Sequence, residues 1–209
     1  MAFRVRDAEK EEIRYDDNNR RVTQKRVEKR RLLCYYGYEV ISLKTLETER
    51  LILRDWESRD SDDLFAILSN PAVSLSEGAS PVESKEKSNA VLDYMIRKKN
   101  GYAIELKSTG SVIGGIGLNE DAKGDKTARN LGFYLAEEYW NRGLMTEALT
   151  VVIANAKEIT DKLSATQYNN PKSEHLLNKM GFQQAGVLRN VKRKIDAEPH
   201  DEPYYLLIL

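Results

Sequence analysis

Two short stretches of this chain hold residues whose types and spacing could do chemistry. In "YWNRGLMTEAL" (139–149) Gly143 stands beside Arg142 where an apolar-periodic helix begins, with Asn141 as the only capping residue nearby. A side-chain cap at the helix start would cover the first N–H groups, and a glycine leaves them bare. Bare amides and the helix dipole together seat an anion, a phosphate or pyrophosphate above all. Gly143 would let that ligand approach the backbone, Arg142 would add charge at the rim, and Thr146 offers a hydroxyl in the first turn. Glu147 and the pair Glu137-Glu138 argue the other way, and the same residues also fit an imperfect cap. In the second stretch, Asn170-Pro171-Lys172-Ser173, Asn then Pro makes an ordinary helix start. Lys179, Gly181 and Phe182 match a glycine-ended helix. Taken alone, Asn170 and Ser173 read as caps.

The elements that must position these residues follow from periodicity. "TLETERLILRDW" alternates as a strand, with Leu51 and Leu53 on one face. "ESRDSDDLFAILSNP" reads as a helix capped by Ser58 or Asp60, with an inner stripe of Leu64, Phe65 and Leu68, ended by Asn70-Pro71. A second helix spans 84–99. "YAIEL" and "VIGGIGL" form a hairpin, and the glycines of the latter suggest close approach of another backbone or a ligand. "ARNLGFYL" is a strand and the helix from 144 runs to about Lys157. "KLSATQY" is a strand, 170–180 a short helix, and "EPYYLLIL" the last strand. The order predicts a mixed α/β fold with a largely antiparallel sheet flanked by helices.

Composition excludes several classes. With 209 residues, 41% hydrophobic and 32% charged, the chain is that of a globular protein with a solvated surface. Lys+Arg and Asp+Glu number 33 each, so no global charge points to nucleic acid or an acidic membrane. The single cysteine, Cys34, precludes an intrachain disulfide and is left out of the chemistry. Neither His175 nor His200 has a partner at metal spacing. No apolar run reaches a membrane span and no secretory pattern opens the chain, so a cytoplasmic location is expected. Residues 1–44 differ from the rest: residues 1–32 hold 11 Lys/Arg against 7 Asp/Glu, before the tyrosine-rich "LLCYYGYEVISL". This reads as an N-terminal arm ahead of a domain at 45–209. It is either a charged face docked by its tyrosines, open to homodimer contact, or a nucleic-acid contact.

In combination, "TERLILRDW", "LGFYLAEEYWNRGLMTEAL" and "NNPKSEHLLNKMGF…GVLR" resemble the GNAT superfamily of acetyl-CoA-dependent N-acetyltransferases, over about residues 45–209. The branch they resemble is that of the RimJ/RimL ribosomal-protein N-terminal acetylases. The resemblance implies a GNAT-like fold, acetyl-CoA as cosubstrate, no metal, and a primary amine, such as a protein N-terminus, as acceptor. It implies that the backbone of Tyr134 and Leu135 pairs with the pantetheine arm where two strands splay. Asn141, Arg142, Gly143, Leu144, Met145 and Thr146 would cradle the pyrophosphate, and Asn170 would hydrogen-bond the cofactor. Ser173 would protonate the departing thiolate. Asp201 and Tyr205 fit the branch's closing Asp-x-x-x-Tyr pattern.

The departures bear on the base. Trp140 replaces a glutamine or arginine, Met145 a small residue, and Asn130 and Lys192 stand where relatives place glutamates. Glu105, Glu120 and His200 are the remaining suspects. An α-amine of pKa about 7.8 is roughly one-tenth neutral at pH 7, and a lysine at about 10.4 only a few parts in ten thousand. Without a strong base the chemistry therefore favours low-pKa amines. The rival readings are a catalytically weak coenzyme A-binding regulator, and a nucleic-acid-associated protein working through the arm.

Overall fold

The computed structural model describes residues 43–209 except 168 and 194, and ahead of them the backbone of four short strands. Of these, β1 (Glu12–Tyr15) pairs antiparallel with β2 (Arg21–Gln24), and β3 (Leu32–Leu33) with β4 (Glu39–Val40). Expectations about the side chains of the arm, including Cys34 and the tyrosines, lie outside the described residues.

Eight strands form one sheet, and those from Leu46 to Leu135 make up one side of it in chain order. Its first half is a meander. The short β5 (Leu46–Glu47) pairs with β6 (Leu51–Arg54), which pairs with β7 (Gly101–Leu106), which turns back into β8 (Val112–Glu120) and then β9 (Ala128–Leu135). Leu51 and Leu53 are fully buried, as alternation requires. Arg54 is buried too, because Asp60 grips it through both carboxylate oxygens at 2.9 and 2.8 Å while Glu105 takes its Nε at 2.7 Å. Asp60 stands at the helix start, but its carboxylate serves Arg54 and the Glu57 N–H.

Between β6 and β7 lie three helices rather than two. Helix α1 (Ser61–Ser69) stops at Asn70, and Asn70 at once caps α2 (Pro71–Ser76), its side chain accepting the Ala72 N–H at 2.8 Å. The inner face of α1 is Leu64 and Ile67, with Phe65 only partly buried. Helix α3 (Lys85–Lys98) completes this layer, capped by Ser84. Trp56, Leu64, Ile67, Val73 and Leu92 join α1–α3 to one sheet face. The opposite face carries α4 (Leu144–Ala156), whose Leu144, Ala148, Leu149 and Val152 pack on Leu131, Leu135 and Leu163. Close approach in "GGIG" is to protein, not ligand: a Cβ on Gly114 would meet the Tyr134 carbonyl at 2.3 Å, and one on Gly115 the Tyr134 hydroxyl at 2.8 Å.

After α4 the chain enters β10 (Lys162–Thr166), parallel to β9, then α5 (Pro171–Lys179), β11 (Gln183–Val191) and β12 (His200–Ile208). A helical crossover is what a parallel pair requires. Strand β11 was not expected from periodicity: it is an edge strand, half-exposed, with nothing to impose alternation.

Candidate active site

The parallel pair β9/β10 is hydrogen-bonded only at its start, from Lys162↔Ala128 to Ser164↔Asn130. Beyond that point β9 stays with β8 up to Leu135↔Gly114, while β10 follows β12 up to Thr166↔Tyr204. Each strand keeps its outer partner, so the two diverge and open a wedge in the sheet. At the closed end Asp121 accepts hydrogen bonds from Ser164 Oγ (2.5 Å), Tyr204 Oη (2.7 Å) and the N–H groups of Lys123 and Asp125. Burial opposes its charge, but those bonds prevail and hold its carboxyl below the ordinary range.

The backbone lining the wedge follows from strand alternation. The Ala136 N–H donates to Ile113 O on β8, so Tyr134 also turns its backbone to β8, and Phe133 and Leu135 turn theirs to the wedge. The expected backbone role of Tyr134 is therefore corrected: its peptide belongs to the sheet, and Phe133 is the second strand residue facing the gap. The Leu135 carbonyl accepts the Trp140 indole N–H at 2.7 Å. Trp140 thus folds the loop back onto the strand end, and Lys172 Nζ lies over its ring at 4.9 Å from the centroid.

At the wide end stands the helix start singled out in the sequence. Gly143 is the N-cap of α4 at φ 76, with no side-chain cap, and Asn141 is also left-handed at φ 59. The first helical bond is Glu147 N–H to Gly143 O. The N–H groups of Leu144, Met145 and Thr146 precede it and have no acceptor within the helix. Glu147 does not spoil the anion seat. Its carboxylate is engaged by Thr48 Oγ1 (2.5 Å) and by Arg50 N–H (2.9 Å) and Nε (2.7 Å). Burial works against its charge, yet these bonds hold its carboxyl below the usual value. Arg50 Nη1 also binds the Arg142 carbonyl at 3.1 Å, which fixes the loop and adds a cation beside it. Arg142 itself points away: its guanidinium stacks on Tyr139, 5.4 Å from the centroid, and it does not line the cleft.

One cavity of about 590 Å³ runs from this seat into the wedge, lined by Tyr134, Leu135, Asn141, Gly143 to Thr146, Asn170 and Ser173, with Leu75, Ser76 and Glu77 of the α2 end opposite. A recess of about 40 Å³ continues it between Gly132, Ala165 and Arg193, and shares Ser76, Glu77, Phe133, Asn170 and Ser173. Asn170 caps α5, accepting the Ser173 N–H at 3.2 Å, and its amide reaches Ser76 O at 3.4 Å. It is a cap and a cavity wall together. Of the sequence-expected site residues, all but Arg142 meet in this cleft.

The suspected bases do not. Glu105 is spent on Arg54, Glu120 lies at an exposed strand end opposite Arg129, and His200 sits between Glu202 and Asp196. Asn130 contacts Ser164, and Lys192 is exposed. Asp201 pairs with Arg189, and the Tyr205 hydroxyl with Glu174 at 3.0 Å, both as ties between elements. The carboxylate in both cavities is Glu77, which follows α2. Burial pushes it up to about 7, with Arg193 pulling the other way. Sequence reading passed over it because α2 went unrecognised. Among the described residues no group of His, Cys, Asp or Glu could hold a metal, and no helix is long and apolar enough to cross a membrane.

Comparison with known proteins agrees with this geometry. The family model for the acetyltransferase (GNAT) domain matches residues 50–183. The uncharacterized N-acetyltransferase YoaA of Bacillus subtilis (strain 168) is 30% identical over 171 residues, 78% of this chain and 96% of that protein. Among solved structures, a GNAT-family acetyltransferase from Bacillus anthracis superposes with a TM-score of 0.70 at 20% identity, covering 79% of this chain and 98% of that one. A spermidine N-acetyltransferase from Vibrio cholerae, in complex with CoA and spermine, gives 0.65 at 19%, covering 77% and 96%. These two likenesses show the shared fold.

Proposed function

The chain belongs to the GNAT acetyltransferase family, an acetyl-CoA-dependent acyltransferase, and from that premise we propose that its 45–209 unit acetylates a primary amine of low pKa, an α-amine foremost, inside the β9/β10 wedge. The observation that carries this reading is the continuous cleft from the uncapped start of α4 into the splayed strands. Acetyl-CoA supplies an activated acyl thioester when bound. The amides of residues 144–146 hold its pyrophosphate, with Arg50 close by as a fixed cation. Phe133 and Leu135 offer strand-type hydrogen bonds to the pantetheine amides, and a wedge-facing N–H of this strand polarises the acetyl carbonyl. Asn170 closes the wall. Ser173, in the cleft wall, gives a proton to the departing sulfur.

Replacing Ser173 with Ala is expected to lower kcat about 100-fold, the low end of general-acid effects, and to leave calorimetric acetyl-CoA affinity unchanged. Full activity would reduce Ser173 to a wall of the cleft. Glu77, a carboxylate lining the cleft, favours turnover over the regulatory alternative. A peptide N-terminus, as in the RimJ/RimL branch, and a small amine, as the name of the Vibrio cholerae enzyme indicates for that protein, are both primary amines. The test is acetyl transfer from acetyl-CoA to matched peptides with and without a blocked N-terminus, to lysine side chains and to polyamines, with products identified by mass. Transfer to free α-amines ahead of lysine supports the proposal; transfer to none, or a clear lysine preference, contradicts it.

A further inference from the structure

The end of α2 is held in place from two sides. Asn170 of the α5 cap reaches the Ser76 carbonyl, and Arg193 Nη1 donates to the Glu77 carbonyl at 3.0 Å. Arg193 is itself anchored by a two-point pair with Glu202, Nε to Oε1 at 2.6 Å and Nη2 to Oε2 at 2.7 Å. The backbone of Glu77 is therefore fixed, while its carboxylate receives no hydrogen bond from the side chains described. It lines both the main cavity and the small recess, and so stands where the two meet.

Gly132 lies across the same recess. Its neighbour two along, Tyr134, packs on the α1–α3 face, so alternation turns the missing side chain of Gly132 to the face that carries α2. A Cβ built there would meet nothing within 4 Å. Unlike Gly114 and Gly115, this glycine makes room for no protein atom. Phe133, between Gly132 and Tyr134, turns its backbone to the wedge.

We propose that Glu77 and Gly132 form the seat of the acceptor amine: Glu77 is the general base that takes its proton, and the space left by Gly132 is where the nitrogen stands. The seat rests on the acetyltransferase reading above and supplies the base that reading lacks. The acceptor arrives as an ammonium. One proton passes to the Glu77 carboxylate and on to water. The freed lone pair forms the C–N bond to the acetyl carbon as the C–S bond breaks, and the sulfur leaves with the electron pair. The second proton on nitrogen goes to that sulfur, by way of Ser173 Oγ, so each turnover releases one proton.

The surrounding charges suit this role. Arg193 faces Glu77 from the β11–β12 connection, with Asp196 beside it and Glu202 and His200 behind it on β12. Tyr134 faces it from β9, its phenol held above the ordinary value by burial and by the Glu77 charge. Lys172, at the start of α5, is turned over Trp140. Desolvation leaves Glu77 near 7, so a good fraction is ionised at neutral pH and ready to accept a proton. Moving a proton to it is uphill by about sixfold from an α-ammonium of pKa about 7.8, but by about 2,500-fold from a lysine ammonium at about 10.4. The base broadens the pH range without erasing the preference for α-amines. The recess, at about 40 Å³, admits an unbranched amine end and little more.

The test is the pH profile of kcat/KM for acetyl transfer to a tripeptide with a free N-terminus, in the native chain, Glu77→Gln and Gly132→Val. The native profile should rise through an inflection near 7 that in Glu77→Gln gives way to one at the tripeptide's own amine value of about 7.8, with kcat/KM down at least about 100-fold, in line with general-base effects. Acetyl-CoA affinity should stay within about twofold. Gly132→Val should raise the tripeptide KM about tenfold and leave acetyl-CoA affinity alone. An unchanged inflection in Glu77→Gln, or acetyl-CoA affinity lost along with activity, overturns the assignment. If the native chain acetylates no amine, the function reading fails; the Glu77 carboxyl titration, followed by carbon NMR, then decides the seat. A midpoint near 7 supports it and one below 5 overturns it.

Discussion

Thr146→Glu is expected to fold as well as the native chain and to bind coenzyme A roughly 100-fold more weakly. Thr146 lies in the first turn of α4 and lines the main cavity, partly exposed, and its side chain makes no contact that the helix needs. A carboxylate in a first helical turn is favourable to the helix itself, by a few tenths of a kcal/mol to about 1. The same charge about 5 Å from a bound pyrophosphate costs about 3 kcal/mol per charge pair at an effective dielectric near 20, before salt screening. Stability and affinity therefore move in opposite directions, which a generally damaged fold would not produce. Calorimetry and a thermal melt measure the two. Gly143→Ala is the complementary control. Its φ of 76 admits a side chain only with about 1–2 kcal/mol of strain, although a Cβ would have room, the nearest atom being Arg50 Nη2 at 3.7 Å. That variant should melt earlier and lose little affinity. Native affinity in Thr146→Glu would take the pyrophosphate away from this helix.

The second large effect concerns the closed end of the wedge. Asp121→Ala is expected to cost about 3 kcal/mol, because it leaves Ser164 Oγ and Tyr204 Oη without their acceptor in a buried place and two N–H groups of the half-buried turn without theirs. These bonds join the β8–β9 turn to β10 and β12, the strands whose company draws β10 away from β9. The pH dependence follows from the lowered carboxyl of Asp121. A depressed carboxylate stabilises the fold above its unfolded value of about 3.9, and that contribution is lost as pH falls through the folded value. The gap between native chain and variant in urea unfolding should thus be full at pH 7 and close below about pH 4. A gap under 1 kcal/mol at pH 7, or one indifferent to acid, would show that the network contributes little.

What the sequence made legible was the local chemistry of helix ends. Gly143 without a side-chain cap and Asn170-Pro171 as a helix start are decisions of the backbone within a few residues, and both stand as expected. The same dipeptide misled at Asn70-Pro71. A residue before proline is barred from helical geometry, so it ends one helix, while proline at the first position begins another. Six residues of α2 are too few for a periodicity to declare itself, and Glu77 follows them directly. A glutamate followed by a glycine, nearly two turns after an Asn-Pro start, was the signal available, and that glycine, Gly78, is left-handed at φ 67. Arg142 and Glu147 were misjudged for a different reason. The Glu147 carboxylate and the Arg142 carbonyl are both held by Arg50, more than ninety residues away, which no local pattern carries, and the Arg142 guanidinium lies over Tyr139. Likewise, which peptides of β9 face the wedge depends on the register with β8, and a shift of one would exchange Tyr134 for Phe133.

The claim on which the rest depends is that acetyl-CoA lies with its pantetheine along β9 and its pyrophosphate on the start of α4. Amide hydrogen exchange of the native chain, resolved by nitrogen NMR with and without acetyl-CoA, tests it directly. Saturating acetyl-CoA should slow exchange at Leu144, Met145 and Thr146, and at the wedge-facing amides of Phe133 and Leu135, while α3 stays unchanged. Binding that leaves those five amides as they were, with protection appearing elsewhere, would contradict the account.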